Sequence, residues 1–251
     1  MAQRAILATE ELGLAIGGAR ILDDVSLRVR DGEFLAVIGP NGAGKTSLFN
    51  LLSGLYRPTT GRIEFDGKDV TSQPPFRRAR SGLIRSFQVT SVFGMLSVLD
   101  NVLVAARAHL GGSWKVWRRA AGDRDAIERA RLVLAEVGLH ADADVAAASL
   151  SHGDKRKLEI AIALAGEPRV LLLDEPTAGM GVEDVPAVMS VVRDIQRRGT
   201  TVVMVEHRMD VVVELADRMA VMHHGALLAC DTPEAVMANE TVQSAYLGES
   251  L

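Results

Sequence analysis

The length, composition and net charge of this chain already exclude several kinds of protein. Its 251 residues, 48% of them hydrophobic, can bury the core of one large or two small domains, while its net charge of −4 disfavours nucleic-acid binding through bulk electrostatics. No apolar run approaches the roughly 18 residues of a membrane-spanning helix, and the first residues lack the apolar region of a signal peptide, so we expect a chain in the cytosol or against the cytosolic face of a membrane.

Alternating side chains in the first third of the chain predict half-buried strands. Residues 25–30 alternate apolar and polar side chains, and residues 61–65 repeat the pattern before a turn at 66–67. Residues 34–38 are apolar throughout, which is typical of a strand buried on both faces. We expect a small antiparallel sheet beside a core that contains this buried strand.

A phosphate-binding loop, residues 39–46, follows the buried strand and precedes a helical pattern. Gly42 and Gly44 lack side chains, so consecutive backbone N–H groups can surround a phosphate at a helix N-terminus. Lys45 adds a positive charge, and the hydroxyl of Thr46 can bind Mg²⁺. The residues that we expect to contact a nucleotide here are Gly39, Pro40, Asn41, Gly42, Ala43, Gly44, Lys45, Thr46 and Ser47.

The middle of the chain has helical patterns. Ser97 suits a helix N-cap with Asp100 three positions on, and a second helical pattern covers 125–137 and ends at Gly138. We interpret this block as a helical subdomain inserted into an α/β core. Between the two helices, segment 113–119 carries both tryptophans and three cations. It either contacts lipid headgroups or a membrane partner, or is a helix end with its aromatic side chains tucked under the subdomain.

Strands and helices alternate after residue 154. The apolar run 170–173 ends at Asp174 and Glu175, and the apolar run 201–205 is followed by Glu206 and His207. This alternation predicts a parallel sheet with functional residues at its carboxyl edge, where the phosphate-binding loop also lies.

Two acidic residues complete the expected chemistry at this edge. A carboxylate after an apolar strand can hold Mg²⁺ through its water shell, and we assign this role to Asp174. Hydrolysis also needs a base that orients and deprotonates a water molecule, and Glu175 is placed for that role.

Further motifs resemble those of ABC-transporter ATPase subunits. Residues 150–156, upstream of 170–177, resemble the signature motif and the Walker B motif of this family. Gln88 matches the Q-loop, residues 178–181 match the D-loop, and His207 matches the switch histidine. The order and spacing of these motifs cover nearly the whole chain.

The resemblance implies the fold class and the domain organisation. We expect one ABC ATPase domain, with a P-loop NTPase core of the RecA-like α/β class, a parallel sheet and a small antiparallel β subdomain at about 1–88 and 167–251. The inserted helical subdomain, with the signature motif, is expected at about 89–166.

The resemblance also implies a mechanism with ATP and Mg²⁺. Two ATPase subunits would meet head to tail, so that Ser151 and Gly153 of one chain close over the ATP held by the other. Closure on ATP and opening after hydrolysis would drive transport. The expected catalytic residues are Glu175, His207, Gln88 and Lys45, and the expected metal-binding residues are Thr46, Gln88 and Asp174.

The implied partners are a second ABC ATPase subunit, either a paralogue or a copy of this chain, and two transmembrane permease subunits. A periplasmic solute-binding protein would act indirectly, nucleic acid is not an expected partner, and the expected location is the cytoplasmic face of the bacterial inner membrane.

Several positions depart from the family pattern. Ile16 stands where many relatives stack an aromatic ring on adenine, and Arg208 stands where an aspartate commonly follows the switch histidine. His152 and Asp154 replace the usual glycine and glutamine of the signature motif, and Gly181 replaces the D-loop aspartate. Asp154 would repel a triphosphate unless it points away, and we expect a neighbouring cation, Lys155 or Arg156, to offset it.

Local strings narrow the expected role within the family. Residues 157–161, 178–180 and 245–249 resemble the ATPases of high-affinity branched-chain amino acid importers of the Liv type, and the long segment between 105 and 125 resembles the larger of their two paralogues. Importers for urea and short amides share much of this pattern. A soluble ABC ATPase that acts on nucleic acid or ribosomes is a further alternative, but this chain lacks the second cassette or long coiled-coil insertion of that class. A P-loop kinase or GTPase is weaker still, because no Asn-Lys-x-Asp string follows the phosphate-binding loop.

Overall fold

The computed structural model describes residues 4–86, 92–110 and 119–247. The strands are β1 (Ala5–Ile16), β2 (Ala19–Arg30), β3 (Phe34–Ile38), β4 (Thr60–Phe65), β5 (Lys68–Asp69), β6 (Leu83–Arg85), β7 (Val170–Asp174), β8 (Thr201–Val205), β9 (Arg218–His223) and β10 (Ala226–Asp231). The helices are α1 (Lys45–Ser53), α2 (Pro75–Arg80), α3 (Val98–His109), α4 (Arg119–Glu136), α5 (His152–Leu164), α6 (Val185–Arg197), α7 (Met209–Leu215), α8 (Pro233–Met237) and α9 (Glu240–Leu247). Short 3-10 helices cover His140–Asp142 and Ala147–Ser149.

The central layer is a sheet with the strand order β10-β9-β3-β8-β7-β6. Five neighbouring strands run parallel, which confirms the predicted parallel sheet, and β10 joins its edge as an antiparallel strand from a hairpin with β9. Leu171 and Leu173 of β7 pack with helices α3 to α6, whereas Val170 and Leu172 pack with α1 and the second sheet. Because both faces are covered, β3, β7 and β8 are buried along their whole length.

The second sheet is antiparallel and has the order β2-β1-β4-β5. It confirms the prediction from the alternating residues of β2 and β4, whose apolar side chains pack against α1. Strand β1, which pairs with both of them, was not predicted. Its burial does not alternate regularly, and Glu11 interrupts it with a left-handed backbone, φ 48°.

Helices α3, α4 and α5 share a core with α6 and one face of the main sheet. The predicted cap of α3 is confirmed, because the backbone N–H of Asp100 donates to the Ser97 hydroxyl over 3.0 Å. Helix α4 begins at Arg119, earlier than the predicted residue 125. Residues 113–118 of the tryptophan-containing segment lie outside the described residues, and of Arg119 only the backbone is described.

One buried cation connects the end of α1 to the loop before α2. Arg78 is 1% exposed, and burial lowers the pKa of its guanidinium to about 10, so it is charged at neutral pH. The guanidinium donates to the carbonyl oxygens of Leu51 at 2.6 Å, Leu52 at 2.8 Å, Thr71 at 3.0 Å and Gln73 at 3.1 Å.

We expect Arg78→Met to lower the free energy of unfolding by about 3 kcal/mol, because several buried carbonyl groups lose a charged donor. Urea unfolding measures this loss. Arg77→Met, which removes an exposed arginine from the same helix, is the control, and equal stability of the two variants would contradict the role of Arg78.

Candidate functional site

The phosphate-binding loop lies tightly between β3 and α1. Gly39 has φ 153°, and a Cβ atom there would lie 2.2 Å from the carbonyl oxygen of Met222. Gly44, at φ 98°, forms the N-cap of α1 without a side-chain hydrogen bond, and a Cβ atom there would lie 2.6 Å from Leu22. The loop therefore requires glycine at both positions. It directs the N–H groups of the first turn of α1, which have no partner within the helix, toward the space where a phosphate binds.

Lys45 spans this loop from the first position of α1. Its Nζ donates to the carbonyl oxygens of Gly39 at 2.6 Å and Pro40 at 2.8 Å, and the residue is 6% exposed. Burial lowers the pKa of Lys45, while the carboxylates of Glu175 and Asp174 act in the opposite direction. Lys45 is therefore close enough to the two acidic residues at the carboxyl end of β7 to interact with them electrostatically.

Asp174 ends β7 and is 1% exposed. One carboxylate oxygen, Oδ2, accepts a hydrogen bond from Arg85 over 2.5 Å, and the other, Oδ1, has no hydrogen-bond partner among the described residues. A buried carboxylate oxygen without a partner is costly unless a cation or its water shell engages it. The buried, unpaired Oδ1 of Asp174 therefore fits a Mg²⁺ ion or its water shell.

Arg85 was not predicted as part of this site. Its guanidinium donates to Asp174 and, over 2.7 Å, to the side-chain oxygen of Asn50 on α1. It thereby joins the helix that begins at the phosphate-binding loop to the strand that ends at the metal-side carboxylate. The signal in the sequence is a single arginine directly after the apolar pair Leu83 and Ile84.

Glu175 and His207 meet above the ends of β7 and β8. Glu175 has a left-handed backbone, φ 46°, and its N–H donates to the carbonyl oxygen of Val205 over 2.9 Å. Its Oε1 lies 2.9 Å from Nε2 of His207. A left-handed glutamate is a strained conformation, of about 1 to 3 kcal/mol, that the surrounding structure must hold in place. The structure thus places the expected base in contact with the expected switch histidine.

A second, buried carboxylate lies behind this pair. Glu206 is 3% exposed, its Oε1 accepts a hydrogen bond from the Thr177 hydroxyl, and burial raises its pKa. This contact ties the segment after Glu175 to the segment that carries His207. Sequence reasoning gave no role to Glu206.

The signature residues cap α5. The Ser151 hydroxyl accepts from the backbone N–H of Asp154 at 3.1 Å and donates to its carboxylate at 2.7 Å. Lys157 donates to the same carboxylate over 3.1 Å. The hydrogen bond from Ser151 is the main cause that lowers the pKa of Asp154. The expectation that Lys155 or Arg156 offsets this charge was wrong, because Lys157 does so and Arg156 turns toward the carboxyl end of β7.

The remaining predicted residues lie elsewhere. Ile16 is 51% exposed at the end of β1, on the hairpin to β2, which itself reaches the phosphate-binding loop at Leu22. Among the described residues, no hydrogen bond joins Ser151 or Gly153 to that loop. Arg208 pairs with Asp210 at 2.9 Å. Gln88 lies outside the described residues.

Fold and site together define a P-loop nucleotide-binding protein, and comparisons with known proteins identify its family. The profile of the ABC transporter family matches residues 22–178, and a profile described as "Branched-chain amino acid ATP-binding cassette transporter" matches residues 226–251. This chain belongs to the ABC transporter family of ATP-binding proteins.

Relatives and solved structures agree with this assignment. The chain is 38% identical to the high-affinity branched-chain amino acid transport ATP-binding protein BraF of Pseudomonas aeruginosa, with 98% of this chain and 99% of BraF covered. It is 36% identical to LivG of Escherichia coli, with 98% of each chain covered. The ADP conformation of an ATP-binding cassette from an ABC transporter superposes with a TM-score of 0.85 at 28% identity, covering 98% of this chain and 100% of that one. The chain is thus homologous to the ATP-binding proteins of branched-chain amino acid transport.

Proposed function

We propose that this chain is the ATP-hydrolysing motor subunit of an importer for branched-chain amino acids. The observation that carries the proposal is the convergence of Lys45, Asp174, Glu175 and His207 at one edge of the main sheet, in a chain of this family. The solute is inferred from the relatives, since both BraF and LivG are described as branched-chain amino acid transport proteins. The comparisons favour neither the urea and short-amide alternative nor the soluble ATPase.

The residues at this edge have different roles in ATP hydrolysis. The first-turn N–H groups of α1 and the ammonium group of Lys45 neutralise phosphate oxygens, while Glu175 accepts a proton from the attacking water. His207 holds Glu175 through their hydrogen bond, and it would also contact the γ-phosphate of bound ATP. Thr46, Asp174 and Gln88 would hold Mg²⁺, whose positive charge would stabilise negative charge on the phosphate oxygens.

The signature residues act on the nucleotide of a second ATPase subunit. Ser151 is exposed at the N-terminus of α5. There its hydroxyl and the backbone N–H groups of the first helical turn can bind a phosphate. Since these groups make no described contact with the phosphate-binding loop of their own chain, a head-to-tail dimer completes the site. The second subunit is a paralogue or another copy of this chain.

An apolar groove offers a docking site for a permease. The groove has a volume of about 410 Å³, lies between the main sheet and α3, and includes Ser86, two positions before Gln88. Phe76, 58% exposed, and Ile84 line it. A short permease helix that inserts apolar side chains here would contact the end of β6, which leads along the chain to Gln88.

The proposed role implies a position at the cytoplasmic face of the bacterial inner membrane, where two permease subunits would hold the chain. Among the described residues, no helix combines the length and apolar character needed to cross a bilayer. A periplasmic solute-binding protein would deliver the solute to the permeases.

The test is reconstitution with the two permease subunits and the solute-binding protein of a branched-chain amino acid importer. We expect ATP hydrolysis in proteoliposomes to rise with leucine-loaded binding protein and not with urea. If only urea or a short amide stimulated hydrolysis, that compound would replace branched-chain amino acids as the proposed solute. Stable association with ribosomes or nucleic acid, and none with a permease, would overturn the proposal that the chain belongs to an importer.

We expect Phe76→Asp to abolish co-purification with the permeases, because a carboxylate in the apolar groove is costly to desolvate. ATP hydrolysis by the isolated subunit should stay within about twofold of the original rate, since Phe76 touches no phosphate-binding residue. Leu132→Asp, which alters an exposed apolar residue on α4, is the control. Equal co-purification of both variants would contradict docking in this groove.

A further inference from the structure

One arginine of the signature helix reaches the catalytic turn of the same chain. Arg156 lies on α5, five residues after the Ser151 cap, and its side chain is 13% exposed. The guanidinium donates to three successive backbone carbonyl oxygens at the carboxyl end of β7. These are the oxygens of Asp174 at 3.3 Å, Glu175 at 2.6 Å and Pro176 at 2.8 Å.

A buried carboxylate holds this guanidinium in place. Glu159, one turn along α5, accepts from Arg156 over 2.5 Å, and its side chain is 8% exposed. The pair is therefore charge-balanced within α5, and the remaining donors of Arg156 point at the carbonyl groups. Only the planar fork of an arginine can reach a carboxylate and three carbonyl oxygens at once.

The turn that Arg156 contacts, residues 174–176, is the one that sets the position of the catalytic base. Glu175 has the left-handed backbone described above, which needs support from its surroundings. Its N–H is bound to Val205 of β8, and its carbonyl oxygen accepts from Arg156 and from the N–H of Ala178, the first residue of the D-loop. Arg156 thus supplies the support from the side of the signature helix.

The N-terminal end of α5 faces a different nucleotide in this proposal. On the proposed function, Ser151 contacts the ATP of the partner subunit, while Glu175 acts on the ATP of its own chain. Arg156 lies five positions after Ser151, or about 7.5 Å along the helix axis. A helix this short moves as a rigid body, so a shift of Ser151 toward a phosphate also shifts Arg156 against the turn.

We propose that Arg156 is a positioning residue that couples the two ATP sites of the dimer. It transmits the engagement of Ser151 with the partner's γ-phosphate to the backbone of Glu175 and to the start of the D-loop. The coupling between two ATP sites rests on the proposed function, because it needs the head-to-tail dimer. The contact between Arg156 and the turn at residues 174–176 lies within one chain and does not depend on the dimer.

The test uses Arg156→Met and Arg156→Lys in the full chain. The control is Arg193→Met, because Arg193 also donates to a carbonyl oxygen and a carboxylate, both of Glu214, but lies on α6 and contacts none of residues 174–176. Hydrogen exchange of the amides of residues 174–178 reports the turn itself. The kcat and KM for ATP, and ATP-driven dimerisation in a Glu175→Gln background, report the coupling.

We expect Arg156→Met to speed exchange at the Ala178 amide about tenfold and to lower kcat about tenfold to a hundredfold, on the scale of a base displaced by a fraction of an ångström. KM should change less than threefold, because the phosphate-binding loop is intact. In the Glu175→Gln background the ATP-driven dimer should weaken about tenfold. Arg156→Lys should rescue little, since one ammonium group cannot span three carbonyl oxygens.

Two results would overturn the inference. One is exchange at residues 174–178 equal to that of Arg193→Met, and the other is faster exchange with kcat and dimerisation unchanged. A failure of the proposed function looks different, because the unmodified chain would then show no ATP-driven dimerisation or hydrolysis, while the exchange measurement would still report on the Arg156 contacts.

Discussion

We expect replacement of Glu175 by glutamine to lower the rate of ATP hydrolysis by roughly a hundredfold or more while ATP still binds. Glutamine keeps the size of the side chain and a hydrogen bond to His207, but it cannot accept a proton from water. Since Glu175 makes no contact with the phosphate-binding loop among the described residues, nucleotide affinity should be preserved. Single-turnover hydrolysis and ATP titration by calorimetry separate the two effects.

The same substitution should favour the closed dimer, because ATP remains bound between the subunits. Size-exclusion chromatography with ATP detects this species, and Glu128→Gln, which neutralises an exposed glutamate of α4, is the control. Unchanged turnover in the Glu175→Gln variant would remove Glu175 from the role of base and leave His207 as the other candidate at this edge.

We expect replacement of Lys45 by alanine to raise the Kd for ATP by about tenfold to a hundredfold. The loss of hydrogen bonds from a charged donor to phosphate is worth about 1.5 to 3 kcal/mol, and each 1.4 kcal/mol is a factor of ten in Kd. Alanine also removes the two hydrogen bonds that Nζ donates to Gly39 and Pro40, so the loop loses an internal support. Both effects act in the same direction.

Calorimetric titration with ATP and Mg²⁺ measures the change in Kd, and thermal unfolding without nucleotide reports the internal support. Lys68→Ala removes an exposed lysine from β5 and is the matched control. A Kd within twofold of the unmodified chain would show that the backbone N–H groups of α1 bind the phosphates without help from Lys45.

Most of the fold could be predicted from short patterns in the sequence. The buried strands β3, β7 and β8 were predicted within a residue or two, because an apolar run between turns has one favourable environment, the middle of a sheet covered on both faces. The edge strand β10 and the irregular strand β1 were missed. The side chains of β10 are partly exposed, and the alternation of buried and exposed residues in β1 is irregular. The sequence therefore shows little periodicity in either strand.

The sequence by itself determined which residues are expected to carry the chemistry. The phosphate-binding loop depends on local spacing, and the rule that parallel strands end at one edge places Asp174, Glu175 and His207 together without coordinates. Only the tertiary structure decided how these residues are held: Arg85 binds Asp174 from 89 positions away, Thr177 binds Glu206 across 29, and Arg156 reaches Glu175 across 19. Such contacts follow from the three-dimensional packing of α5, β6, β7 and β8, and no spacing along the chain encodes them.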